Sequence, residues 1–463
     1  MKKIFFLFFL PLYSWSKPLD FTRDIRPILS DKCFSCHGPD EHGRKADLRL
    51  DLEKEAKNKD LFAIVAGKPD ESEMIYRIHS KDADEVMPPP EIGKPLSNKE
   101  KQILGLWIKE GATWAEHWAY VDPSFHPNPK TQNTKWSKHW IDTFALADIE
   151  QSGKKPAPNA DPITLVRRLH FDLTGLPPQS ETVKTFAANP SASAYTKLVD
   201  QLLSSSHYGE RMAAYWLDLV RYADTVGYHG DQPHNISPYR DWVIHAFNQN
   251  MPFDQFTREQ LAGDLLPGST TQQKVASGYN RLLQTTHEGG LQVKEYDAIY
   301  AADRVRNVSE VWMGATVGCA QCHDHKYDPY TIKDHYALAA FFADIGDRGF
   351  TGNSIPTKRP PEIRIFSTEQ QTVLDRLSSE MDKHLPKQKQ EQLAKMEAAR
   401  KKLSDSLKKA KDQQKAELQV KLKNNNQQIN KLATQEEINA FKAAQKKRSD
   451  LEKQGRWTMI SKT

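Results

Sequence analysis

The chain has 463 residues, enough for roughly two to four domains. Hydrophobic residues make up 38% and charged residues 27%, so a sizeable core is affordable, while a mean hydropathy of −0.70 marks much of the chain as polar. The net charge of +5 is too small to argue for a nucleic-acid partner.

The N-terminus begins with Lys2-Lys3, continues through the apolar run Ile4 to Leu12, and offers small residues around Ser14-Trp15-Ser16. Residues 1–16 therefore read as a secretory signal peptide, too short for a comfortable membrane span. Pro11 and the abrupt polar change at Lys17 argue against a buried helix. No later run approaches bilayer length. The mature chain is expected to be exported, to the periplasm or cell surface, and to be soluble or peripherally held at a membrane.

Residues 17–118 read as a small helical domain. Phe21, Ile25, Ile28 and Leu29 fall at helical spacing, with Pro27 expected to kink or restart the helix. Directly after it stands Cys33-Phe34-Ser35-Cys36-His37, of the form C-x-x-C-H. Glu71 to His79 is expected as a short helix carrying Met74, Ile75 and Ile78. The prolines of Met87-Pro88-Pro89-Pro90 require an extended loop. Ser97-Asn98-Lys99-Glu100 is a capping box opening a helix with Ile103, Leu104, Trp107 and Ile108 on one face, and Gly111 is placed to end it.

Residues 119–150 read as a linker. A larger helical domain is expected over 151–350, opened by Asp161-Pro162 as N-cap and first residue of a helix. Further helices are expected at Tyr195–Leu203, Gly209–Tyr222, Tyr239–Phe247, Phe253–Leu266, Glu295–Val311 and Asp334–Phe342. Between the last two stands a second C-x-x-C-H, Cys319-Ala320-Gln321-Cys322-His323, continuing as Asp324-His325-Lys326-Tyr327-Asp328-Pro329. No alternating apolar run is long enough to propose a sheet. Over 366–455 Lys, Gln, Glu and Ala dominate. Leucines drift out of heptad register, with a break at Pro386, so a helical, coiled-coil-like segment is expected, with its turn near Asn424-Asn425-Asn426. The fold class is mainly α.

The two C-x-x-C-H motifs use all four cysteines of the chain. This is the signature of covalent haem c attachment. Each thiol forms a thioether to a porphyrin vinyl group, and the histidine supplies an axial imidazole to the iron. Two haems are expected, held by Cys33 and Cys36 with His37 on the iron, and by Cys319 and Cys322 with His323. A single zinc site built from the two distant pairs is disfavoured, as is a thioredoxin-like pair, because no βαβ pattern surrounds either motif. Helix, C-x-x-C-H, loop, Met in a loop and final helix is the order of a small class I-like cytochrome c. Met87 is the candidate sixth ligand, because a thioether is a soft ligand for iron; His79 and His42 compete. For the second iron, His335, His287, His229, His207 and Met313 are candidates, and an open position is equally allowed; His325 is too close in sequence to reach round the ring. Asp218, Asp224, Asp241, Asp264, Glu288 and Asp303 are a catalytic or cation-binding set, or caps and partners of Arg211, Arg221, Arg240 and Arg304. Asp324, His325 and Asp328 are weighed as a Ca²⁺ site or a propionate pocket.

The motifs resemble a known pair of domains. Cys33 to His37, Gly67-x-Pro69, Met87 to Glu91, Trp107-Ile108 and Gly111-Ala112-x-Trp114 are similar to the planctomycete-type cytochrome c domain. Arg167-Arg168-Leu169, Asp172 to Pro178, Tyr208 to Arg211, Trp216-Leu217-Asp218, Tyr239 to Ile244, Gln260 to Pro267 and Cys319 to Pro329 resemble the cytochrome-associated domain that follows it in exported planctomycete proteins. The resemblance implies a further C-terminal domain, which this chain would lack if it ends where the sequence does. It also implies genomic association with sulfatases and polysaccharide breakdown. Three readings follow: electron transfer through two haems, with a redox partner protein or a small electron donor or acceptor; a haem-dependent extracytoplasmic oxidoreductase acting in polysaccharide breakdown; or a surface scaffold that self-associates through its helical segment. Whether the chain is an enzyme is left open.

Overall fold

In the computed structural model, residues 19–115, 118–228, 230–286, 290, 292–346 and 359–461 are described. The expected signal peptide lies outside them. The fold is mainly helical. The described residues divide into two compact units, one drawn from 1–160 and 301–343, the other from 161–300 and 344–463.

The first unit forms around the helix that leads into the first C-x-x-C-H. Asp20 caps it by accepting from the Arg23 N–H at 2.7 Å. A wide π turn, Phe21–Ile25, passes into the α-helix Arg26–Lys32 with Pro27 in its first turn, where its missing N–H costs nothing. Phe21, Ile25, Ile28 and Leu29 are all buried. They meet Met74 and Ile78 from Glu73–His79, and Leu104, Trp107 and Ile108 from Asn98–Lys109. Both halves of the Ser97–Glu100 capping box are formed. Phe21, Trp107 and Trp114 pack with ring centroids 4.9–5.8 Å apart.

The same unit takes in the second motif. Cys319 lies on the 3₁₀ turn Val317–Gln321, which packs on the helix Ile332–Ala340. Val305, Ala315 and Val317 form a small core there with Tyr330, Leu338 and Ala339.

In the second unit, Pro162–Thr174, Ser180–Ala188 and Ala192–Leu203 enclose Val166, Phe186, Leu198 and Leu202. Asp161 accepts from the N–H groups of Ile163 and Thr164, each at 3.0 Å, and Gly175 ends the helix at φ 72°. Ser206–Leu219 crosses Ser237–Asn248 closely at Gly209, whose N–H donates to Asn248 Oδ1 at 2.8 Å. Beneath this crossing the Trp216 indole and the Tyr239 hydroxyl both donate to Gln260 Oε1, at 2.9 and 2.6 Å.

Three differences from the sequence reading bear on the architecture. Strand β1 (Glu362–Ile365) pairs antiparallel with β2 (Arg456–Met459), Glu362 opposite Met459, although no sheet is expected. Each strand is only four residues long, too short for periodicity to register. A helix, Trp140–Gln151, forms within the stretch read as linker. The turn of the C-terminal segment falls at Ala410-Lys411, between Lys387–Lys409 and Asp412–Leu432, and Asn424 to Asn426 lie inside the second of these helices. Asn costs a helix only about 0.7 kcal/mol or less, so packing decides. Lys387–Lys409 pairs with Asp412–Leu432, and Thr368–His384 with Gln435–Glu452. Met381, Leu385, Leu393, Ile429, Ile438 and Phe441 fill the space between them, and β1 with β2 closes the base.

The helix crossing makes a stability prediction. A Cβ on Gly209 would lie against the Ile244 carbonyl and 2.6 Å from Asn248 Nδ2. Gly209→Ala, which in an open helix would stabilise, is expected to destabilise by about 1–3 kcal/mol; a thermal melt showing a higher Tm would contradict the close crossing.

Candidate functional site

The first C-x-x-C-H straddles a helix break. Arg26–Lys32 ends at Cys33, and Phe34–His37 restarts as a single turn. The turn is pinned by backbone bonds from Lys45 N–H to Cys36 O at 2.7 Å and from Leu50 N–H to His37 O at 2.8 Å. Cys33, Cys36 and His37 thus face one cavity of about 310 Å³. Its walls are apolar: Leu48, Leu50, Ala63, Met74, Ile78 and Leu96.

Met87, from the distant proline loop, lines the same cavity with Pro88 and Pro89. Its N–H donates to Arg77 O at 3.1 Å, which ties the loop to the end of the helix Glu73–His79. His42 and His79 are exposed and do not line the cavity. Cavity size, an apolar wall and few convergent ligating groups fit a planar hydrophobic cofactor gripped at one edge.

Burial shifts both kinds of group toward their neutral forms. Burial lowers the His37 pKa, against a smaller opposing effect of its Nδ1 contact with Lys45 O at 3.2 Å. The neutral imidazole is the ligating form, and engaging Nδ1 presents Nε2 to a metal. Burial, with the nearby Cys36 and Asp31 adding, pushes the Cys33 thiol up to about 12.

A family model of planctomycete cytochrome C matches residues 33–91. The chain carries a planctomycete cytochrome C domain. Residues 140–347 match a second family, described as a protein of unknown function (DUF1549), in the order the sequence motifs imply. No curated protein and no solved structure matches the chain. The cytochrome C domain implies covalently bound haem c, and the cavity residues fit that group.

The second C-x-x-C-H lies in the part matched by the second family. Cys319 and Cys322 are exposed. His323 Nδ1 meets Asp324 O at 2.8 Å, the same arrangement as at His37. His325 is spent on the loop itself. Its Nδ1 accepts from the N–H groups of Tyr327 and Asp328, at 3.1 and 2.8 Å. Its Nε2 therefore carries the proton and donates to Thr316 Oγ1 at 2.9 Å. His335 is buried, with Nδ1 3.3 Å from Val317 O, and Met313 is exposed on the turn before Gly314. His207 is in the second unit, paired with Glu210 at 2.6 Å. His229 and His287 lie outside the described residues.

Among the described residues several of the candidate acids are engaged with other groups. Asp224 accepts from the Tyr222 hydroxyl at 2.6 Å, and Asp241 pairs with Arg456 at 2.7 Å. Asp303 is 4.0 Å from Arg306, and Glu288 is outside the described residues. Asp324 caps the next helix through Ile332 N–H at 2.8 Å, and Asp328 lies 3.5 Å from His325. Among the described residues no group of three or more His, Cys, Asp or Glu is arranged to hold a metal ion.

Sequence reasoning missed one relation. The loop after the second motif packs on the helix before the first. The Ser30 hydroxyl donates to Lys326 O at 2.8 Å, and Lys326 Nζ lies 3.3 Å from Asp31 Oδ1. No local signal marks this contact, which spans 295 residues of sequence.

Because the thiolate is the nucleophile, a chain made without haem attachment and treated with iodoacetamide near about pH 8 is expected to be alkylated at Cys319 and Cys322 before Cys33. Peptide mass mapping over a time course reads the order, and a Cys33 that reacts first would contradict its raised pKa.

Proposed function

We propose that this is an exported c-type haem protein that transfers electrons through two covalently attached haems, acting with a redox partner protein or a small electron donor or acceptor in the periplasm or at the cell surface. The observation that carries the reading is the convergence of Cys33, Cys36, His37 and Met87 on one apolar cavity. Each bound haem would supply a one-electron carrier that the side chains themselves lack.

The chain's own residues have distinct tasks in this reading. Cys33 and Cys36 would anchor the first haem, His37 would ligate its iron, and the Met87 thioether would complete the axial pair, raising the reduction potential relative to two nitrogen ligands. Leu48, Leu50, Ile78 and Leu96 exclude water and keep the surroundings of low polarity. Cys319, Cys322 and His323 would hold the second haem. No helix among the described residues is long and apolar enough to cross a membrane.

Support for exchange between two haems comes from reach. Ser30 to Cys33 is about 5 Å along a helix, and Lys326 to His323 is at most about 11 Å of extended chain. With the Ser30–Lys326 hydrogen bond between them, the two attachment sites lie within roughly 25 Å of one another, Cα to Cα.

Intact mass and a pyridine haemochrome assay on chain expressed with a haem-attachment system are expected to give two haems per chain; a haem-free product would overturn the proposal. Cys319→Ala with Cys322→Ala is expected to leave one. Met87→Ala is expected to keep both haems, change the ligand spectrum of the first and lower its potential by on the order of 100 mV, part of the roughly 0.8 V that axial ligands span. An unaltered spectrum would remove Met87 from the iron.

A further inference from the structure

Charges alternate along the loop that follows the second motif: Asp324, Lys326, Asp328. Of these, Lys326 meets an opposite charge on the helix leading into the first motif. Lys326 Nζ is 3.3 Å from Asp31 Oδ1. Asp324 adds to the field on Arg49, after that group's own ion pair with Asp51. Asp328 and Asp51 partly offset the desolvation that lowers the Arg26 pKa. Ser30, at 3% exposure, supplies the fixed point, because its buried hydroxyl donates to Lys326 O at 2.8 Å.

The placement is close to both sites. Asp324 adjoins His323, and Arg49 adjoins Leu50, whose N–H holds His37 O at 2.8 Å. Asp31 also takes Lys94 and Lys32, each at 3.0 Å, and its carboxyl is held well below the usual range by Lys32 first, then Lys94 and Lys326.

We propose that Lys326, its ammonium received by Asp31 and its carbonyl by the Ser30 hydroxyl, is the key that seats the second C-x-x-C-H loop on the first haem domain and so sets the separation across which the two haems exchange electrons. The seating stands on the contacts alone; the exchange rests on the function proposed above. Lys326, Asp31 and Ser30 are positioning residues. A reversed sign at Lys326 sets like charges opposite at Asp31, so a reversal disrupts more than a deletion.

The test is made on the full haem-loaded chain. Lys326→Glu is compared with the parent and with Lys326→Arg by hydrogen exchange and by flash-initiated electron exchange between the haems. Lys326→Glu is expected to speed amide exchange over 323–332 at least about threefold while leaving Asn98–Lys109 unchanged, to slow inter-haem exchange, and to leave haem content and both potentials near the parent's. Lys326→Arg is expected to restore both rates. Ser30→Ala, which removes the buried donor, is expected to loosen the same amides. Unchanged amide exchange in both Lys326→Glu and Ser30→Ala overturns the seating. An accelerated loop in a chain whose parent shows no electron exchange upholds the seating and sinks the electron-transfer function instead. An accelerated loop with an unchanged inter-haem rate overturns the claim that the key sets the separation.

Discussion

A buried hydroxyl must find a partner or cost the fold about 1–3 kcal/mol, and the one at Ser30 finds the main-chain carbonyl of Lys326. Serine inside a helix commonly bonds back to its own preceding turn; here it reaches instead to a segment almost 300 residues away. That bond places the loop after the second C-x-x-C-H on the helix before the first. The loop arrives already shaped, because His325 at its centre gathers the N–H groups of Tyr327 and Asp328 on one ring nitrogen and Thr316 on the other. A preformed loop on a fixed helix brings two copies of one attachment motif into one compact unit.

The two copies are not equivalent. Around the first, one cavity is lined from three sources: the helix supplies the cysteines and histidine, the proline loop supplies Met87, and aliphatic side chains line much of the rest. Desolvation there acts on both kinds of ligand, keeping His37 neutral and Cys33 protonated. Around the second, both cysteines are exposed, and the nearby histidines serve the loop or the small core beneath it. Under the proposed function the two haems would sit in different surroundings, and burial and solvent access tune haem potentials.

The second unit is organised by buried polar bonds as much as by apolar packing. Gln260 collects Trp216 and Tyr239, and Asn280 donates to Ser461 Oγ at 2.7 Å. Such bonds act together, because each buried group left unpaired would be costly. They join the helical layer to the chain beyond β2, while β1 and β2 clamp the long helical hairpin at its base. Two of the acids that attract attention in the sequence have partners here, Asp224 with Tyr222 and Asp241 with Arg456.

What the sequence by itself determined is everything that rests on a few adjacent residues. The C-x-x-C-H motifs are legible because thioether attachment and axial ligation need those groups within about one turn. The Ser97–Glu100 and Asp161 caps are legible because their donors are three residues away or fewer, and the mainly helical class follows from apolar spacing. Met87 stands out because prolines flank it. Tertiary structure decided what depends on partners far along the chain: the four-residue strands that pair across about ninety positions, the hairpin turn at Ala410-Lys411 that carries no turn residue, and the meeting of Ser30 and Asp31 with Lys326. An isolated Asp-x-Lys-x-Asp is an ordinary solvated run. Its lysine acquires meaning only when Asp31 is folded opposite it, because charge complementarity is a property of two surfaces and neither one alone encodes it.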